Sequence, residues 1–475
     1  MHAGSGPTRR ETFLLIILLV ALLSFSSLNF TLGGSRSTFL GGYGDKSSSS
    51  ASNTEDFTTE LLRSRMSWAE GAVPQTDVLA HVPGWTIFDN LYVFNGTVYI
   101  VTDKPASVPD RSHITSTAVK IANGAAAIAS RLPTDKELRV ISSKEARSLF
   151  GTKAEIIDGV SWLINDPPQF ITHYYHWSAE LFFGFWRTYS SLDPAVPSTG
   201  NTSLPAMRRI VFSHADADHW RDYALMNQWV LRSVFPSIAL EFNSDWQDRA
   251  QMGVAYVFDR VVFSDRAAAM HGSLFQSTGR TASEPSALAG SVHWWSTVRK
   301  NVIQLSGLSG DTGPATTRTP VITYISRQEW GRRMLIPEDH DRLVQELYKL
   351  RDTYGYEVNV VSMDKLSRTE QIQLAARTTI MMGVHGNGLT SLVWMKPSPR
   401  TTVMEFFFPG GFAHDYEYTS RALGMTHYGF WNDHTFTSPD TPKVAYPEGF
   451  QGTKIPIDGA AVARLCVERL SLANS

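Results

Sequence analysis

One cysteine, Cys466, stands among 475 residues. It cannot close an internal disulfide or supply the thiolates of a structural zinc site, so stability has to come from packing. Charge of one sign is also lacking. The 43 basic residues face 45 acidic ones, a formal net of −2, and no global field draws in a phosphate backbone. A nucleic-acid partner is therefore not expected. No repeat of about 20–50 residues stands out, which removes solenoids and propellers. Gly-x-Ser-x-Gly is missing, against an α/β-hydrolase, and so are H-E-x-x-H, the Walker loop and G-x-G-x-x-G. What is present is apolar: 43% hydrophobic and 11% aromatic residues. That is material for two or three cores, because single cores stop growing at roughly 250–300 residues.

Arg9 and Arg10 precede the apolar run Phe13–Leu23, and only Ser24, Ser26, Ser27 and Asn29 interrupt it before Phe30. At 1.5 Å per residue, residues 13–30 span about 27 Å as a helix, enough for one short membrane crossing. The basic flank predicts a cytoplasmic tail over residues 1–12, a signal anchor over 13–30 and a lumenal remainder, the type II arrangement. A cleavable signal peptide is the competing expectation. Residues 31–75 are rich in Gly, Ser and Thr at first and read as a flexible stem. Sequons at Asn29, Asn95 and Asn201 suit a lumenal chain.

The folded part divides, by its patterning, into an α/β domain over residues 76–305 and a second over 306–475, with linker-like sequence near 300–318. In the second, Pro320–Ser326, Val358–Val361, Thr379–Val384 and Thr402–Phe407 read as strands. Between them, Pro337 opens a helix with Leu343, Leu347 and Leu350 on one face, and Ser367 with Glu370 forms a capping box. A third helix is expected over Leu389–Met395. This alternation predicts a parallel, doubly wound sheet, with ligands at the carboxyl ends of its strands. In the first domain, helices are expected over Tyr174–Tyr189 and Tyr223–Val234, and strands over Trp162–Ile164, Arg209–Phe212 and Ala255–Phe263.

Arg327 follows the first of the C-terminal strands, where a guanidinium can hold a diphosphate through two parallel hydrogen bonds. His385, Gly386, Asn387, Gly388, Leu389 and Thr390 join a strand to the expected third helix, whose N–H groups and dipole would favour an anion. Glu405 lies in an apolar run, where an unpaired carboxylate is costly; a ribose diol or a salt bridge would satisfy it. His176 and Glu180, four apart, share a helix face and suit a general-base pair. Asp216-Ala-Asp218 is a short D-x-D that could hold a metal and a nucleotide, or serve as an ordinary acidic turn.

Taken in order, HYYHWSAE, RIVFSHADADHW, YVFDRVVF, YISRQ, GVHGNGLTSLVWMKP and TTVMEFF resemble glycosyltransferase family 61 over roughly residues 150–435. The resemblance implies a GT-B fold, two facing Rossmann-like domains, the C-terminal one holding a UDP-sugar and the N-terminal one facing the acceptor. It implies an inverting, Golgi or endoplasmic-reticulum transferase that moves xylose or N-acetylglucosamine onto a glycan or glycoprotein. No tightly bound cofactor is expected, and no divalent metal is required. On the matching positions, Arg327 looks like the diphosphate arginine, His385 and Gly386–Thr390 like the nucleotide-phosphate loop, and Glu405 like a ribose or uracil contact. Glu180 is the first choice of base, with His176 its rival. A lumenal glycan-binding protein that keeps the fold without catalysis is the alternative.

Overall fold

The structure, a computed structural model, describes residues 64–69, 71–309 and 319–473. The chain divides into two compact units, residues 1–60 and 61–475, and every described residue belongs to the second. The expected tail (1–12), the anchor (13–30) and the stem up to residue 63 lie outside the described residues, as does Asn29. Among the described residues, no helix is long and apolar enough to cross a membrane.

The first sheet has nine strands: β1 (Arg65–Ser67), β2 (Asp77–Val82), β3 (Trp85–Phe94), β4 (Thr97–Val101), β5 (Leu138–Ile141), β6 (Lys153–Ile164), β7 (Met207–Phe212), β8 (Ala239–Glu241) and β9 (Tyr256–Ser264). Its main order is β5-β4-β3-β9-β6-β7-β8, with β2 on β3 and β1 on β6. It is mixed. The β6 strand runs parallel to β7 and β9, whereas β2, β3 and β4 form antiparallel hairpins. The β3–β4 turn is Asn95-Gly96, both at positive φ (49° and 79°), the backbone that a two-residue hairpin with the right twist demands. Because β1 pairs with β6, and Trp68 and Val73 are buried, the folded part begins upstream of the expected start at 76.

The second sheet holds β10 (Val321–Ile325), β11 (Glu357–Val361), β12 (Ile380–Val384), β13 (Thr402–Phe406), β14 (Thr426–Trp431) and β15 (His434–Phe436). Its order is β11-β10-β12-β13-β14-β15, parallel except for the β14–β15 pair. Every residue of β10, β12 and β13 is buried, which explains their near-continuous apolar sequence. Numbered within the sheet, the first five strands lie in the order 2-1-3-4-5. The order reverses between β10 and β12, the switch point at which such sheets open a crevice.

The two sheets share a core. One apolar cluster runs from Trp162, Phe182 and Phe185 to Leu392, Trp394 and Val403. Trp295 donates from Nε1 to the Val393 carbonyl (2.8 Å), and Arg299 from Nε to that of Trp394 (2.9 Å).

The helix Pro337–Tyr354 buries Leu343, Leu347 and Leu350 as its pattern requires, and Ser367 with Glu370 caps Arg368–Arg377 reciprocally. Three expected helices differ. Tyr174–Tyr189 is a π-helical turn over His176–Leu181 that passes into an α-helix over Phe182–Tyr189. The helix expected from Tyr223 starts only at Asn227, because Asp222 Oδ1 accepts from the Met226 and Asn227 amides and fixes the start there. The helix expected over Leu389–Met395 is a 3₁₀ run, Asn387–Trp394. Gly386 offers no capping side chain, and burial of Leu389 through Trp394 holds the tighter turn by packing.

Cys466 sits on the helix Gly459–Ser471 with no exposed surface, and burial pushes its thiol well above the usual range. The folded chain should resist iodoacetamide and become alkylated only on unfolding, as mass spectrometry of native and guanidinium-treated protein will show.

Candidate functional site

A cavity of about 620 Å³ opens at the carboxyl ends of β10, β11 and β12. Arg327, His385, Asn387 and Gly388 line it from the second sheet, and His176 and Tyr223 face it from the first. The switch point therefore coincides with the cavity. Gly386 sits behind the wall, and its missing side chain matters: a Cβ there would fall 2.8 Å from the Arg327 guanidinium. A side chain at 386 would displace the guanidinium from its place against this loop.

Arg327 is half-buried, stacks over Trp330 at 5.2 Å, and has a buried Nε without a hydrogen-bond partner. Arg332 and Arg333 line the same cavity. Arg333 is aimed by Gln451, whose Oε1 accepts from its Nε at 2.7 Å. Burial first, and then the neighbouring Arg333, pull the Arg327 guanidinium below its ordinary value. Arg333 is lowered by burial as well. None of the three forms an ion pair with a carboxylate among the described residues. Asp364 and Asp415 line the same cavity and Glu405 lies behind it, but partly desolvated cations clustered without a direct ion pair are costly unless a ligand supplies the anion.

On the opposite wall, His176 Nδ1 lies 2.6 Å from Glu180 Oε2. Glu180 is buried behind the histidine and does not line the cavity. Burial would raise its carboxyl, but His176, and after it Arg280 and Arg266, outweigh burial and hold it at about 2. Arg280 reaches Glu180 at 3.4 Å and Asp415 at 2.9 Å, so it ties the first sheet's wall to a cavity residue of the second. Asn387 adds a second tie, accepting from the Tyr175 amide (3.2 Å) and donating to the Tyr223 hydroxyl (2.5 Å).

Glu405 is fully buried, and both its oxygens are engaged: His385 donates from Nδ1 (2.5 Å) and His427 from Nε2 (2.9 Å). It stands behind His385 rather than on the cavity wall. Leu389 and Thr390 are likewise buried away from it. Asp216 lies on an exposed turn, accepting from His219 and from its own turn's amides, outside the cavity. His340, His414 and His427, which have no partner by sequence, meet Tyr324, Glu417 and Glu405.

Thus the structure gathers Arg327, His385, Asn387, Gly388 and His176 around one cavity, and places Glu180, Gly386 and Glu405 directly behind them. Sequence reasoning missed Arg333, Arg280, Tyr223 and Asp415. The adjacent Arg332-Arg333, a few residues past Arg327, were a readable signal. Arg280 had none, since its partners are distant in sequence.

The buried imidazoles set a pH dependence of stability. Burial lowers His81 and His173 from 6.5 to about 4, with neighbouring His113 and His176 adding to it. A lowered histidine favours the neutral ring in the folded state, so this stability is present above 6.5 and lost as pH falls toward 4. Glu180 and Glu417, both held at about 2, extend the loss from about 4.5 downward. The midpoint of thermal unfolding should fall steadily between pH 6.5 and 4; a flat profile by calorimetry would contradict it.

Residues 174–404 match the family described as Glycosyltransferase 61. The matched stretch contains His176, Glu180, Arg327 and the whole His385–Thr390 turn, and closes one residue before Glu405. A search among curated proteins finds no match.

Proposed function

The chain belongs to glycosyltransferase family 61, and on that premise we propose that it transfers xylose or N-acetylglucosamine from a UDP-sugar, with inversion, to a hydroxyl of a glycan or glycoprotein. The reading includes a GT-B arrangement and a type II anchor at residues 13–30 in a Golgi or endoplasmic-reticulum membrane. The observation that carries the donor assignment is the cluster Arg327, Arg332 and Arg333, which forms no ion pair with a carboxylate among the described residues, at the switch point of a parallel sheet. A diphosphate supplies the missing negative charge. Arg327 holds it through its planar fork, Arg333 adds a second charge, and His385, fixed by Glu405, faces the same space. Three guanidiniums stabilise the leaving diphosphate without a divalent cation. Ile325, Met363 and Leu366 offer an apolar bed for the base.

Transfer is a single displacement. With Nδ1–H donated to the ionised Glu180, Nε2 of His176 keeps its lone pair and takes the proton of the acceptor hydroxyl. The acceptor oxygen attacks the anomeric carbon, the bond from that carbon to the phosphate oxygen breaks, and its electron pair leaves with UDP. A carboxylate held at about 2 is a poor proton acceptor, which favours His176 as the base and Glu180 as its orienting partner, the reverse of the order expected from sequence. The test is titration of the full chain with UDP by calorimetry, together with UDP release from a panel of UDP-sugars. Saturable binding below millimolar UDP is expected; no heat at millimolar UDP sinks the reading.

A further inference from the structure

Beside His176 lies an aromatic strip that the donor reading leaves unused. Phe170 follows β6 on the loop leading to His176. Its ring centroid stands 4.7 Å from the His176 imidazole, tilted 39°. The strip continues from His176 to His173 at 4.8 Å, and from His173 to Tyr223 at 5.9 Å. Its two ends are open to solvent, Phe170 at 40% and Tyr223 at 63%.

Several features show that the strip is built. Phe170 has φ +70°, a left-handed conformation that bulky residues seldom adopt and that persists only where neighbours enforce it. Gln169 enforces it: its amide accepts from the Ile121 N–H (2.7 Å) and donates to the Ile121 carbonyl (3.1 Å), and the His173 amide donates to the Phe170 carbonyl (3.2 Å). Two residues past Tyr223, Leu225 is also left-handed at +56° and 46% exposed. His173 carries a buried Nδ1 with no hydrogen-bond partner. Exposed rings held in place beside a candidate base describe a binding surface rather than a packing accident.

Resting on the transferase reading above, we infer that Phe170 and Tyr223 form the acceptor platform, and that the acceptor group is a pyranose ring rather than a serine or threonine side chain. A pyranose has an apolar face of C–H bonds and a rim of hydroxyls. Its face lies on Phe170 while one rim hydroxyl meets His176. A peptide would instead bring N–H and C=O groups that need partners, and Phe170 and Tyr223 present ring faces.

The experiment uses the full chain with and without saturating UDP, and methyl β-D-glucopyranoside, methyl β-D-galactopyranoside and methyl α-D-mannopyranoside as probes, read by saturation-transfer NMR and calorimetry. At least one pyranoside should bind through its C–H face. F170A should weaken it by about five- to tenfold, as expected for an aromatic contact, while F170Y retains it, UDP affinity is unchanged and the unfolding midpoint stays within error. Wild-type pyranoside affinity in F170A overturns the platform. So does failure of every pyranoside where a Ser/Thr peptide binds. UDP that fails to bind overturns the donor reading alone, since dependence of pyranoside binding on Phe170 is read without UDP as well.

Discussion

R327A should weaken UDP binding by about a hundredfold or more and bring turnover below detection, yet leave the fold as stable as before or slightly more so. The first expectation follows from a guanidinium losing two charge-assisted hydrogen bonds to a diphosphate, together about 3 kcal/mol. The second separates a ligand-binding arginine from a structural one. Arg327 has a buried Nε with no partner, repels Arg333 and forms no ion pair among the described residues, so the unliganded fold gains little from it. Removing it relieves the repulsion. A structural arginine would behave oppositely, lowering the unfolding midpoint by several degrees. R327K keeps the charge and loses the fork, and should recover only part of the affinity. Calorimetric UDP titration and thermal unfolding on the same preparations decide the matter: wild-type affinity in R327A would remove the donor assignment.

The second sheet was legible because its signals are local. Val321–Ile325, Ile380–Val384 and Thr402–Phe406 are buried on both faces and read as apolar runs, and the Ser367–Glu370 box sits within four residues of chain. Arg327 and His385 were legible for the same reason, since each stands within two residues of the end of such a strand. What escaped was decided by contacts distant in sequence. The antiparallel half of the first sheet was announced only by Asn95-Gly96, which carries a sequon and a hairpin turn in the same letters. The 3₁₀ run Asn387–Trp394 is buried against Trp295 and Tyr174, distant in sequence, which no local propensity records. Glu405 was recognised as a carboxylate needing a partner, but the choice between a ribose and two histidines depends on His427, one strand over. Arg327 reads from sequence as an anion-binding arginine beside the loop N–H groups; Arg332 and Arg333, the latter aimed by Gln451, stand with it in the cavity.

The pair on the acceptor wall yields the other large effect. H176A should lower the turnover number by about 10²–10⁴-fold, the usual range for a general base, with UDP affinity nearly unchanged because the donor is held across the cavity. E180Q should cost less, about ten- to a hundredfold. The amide oxygen can still accept the Nδ1 proton and keep Nε2 free, but it no longer offers a negative charge to the imidazolium formed as the acceptor proton arrives. In the wild type Glu180, at about 2, is ionised throughout the working range. If Glu180 were itself the base, E180Q would fall as far as H176A. The two turnover numbers, measured with one donor and one acceptor at saturation, therefore assign the proton to one side chain or the other. Arg280, bridging Glu180 and Asp415, helps hold the carboxylate in place behind the wall. R280A should accordingly reproduce only part of the E180Q loss, since the carboxylate charge next to His176 remains.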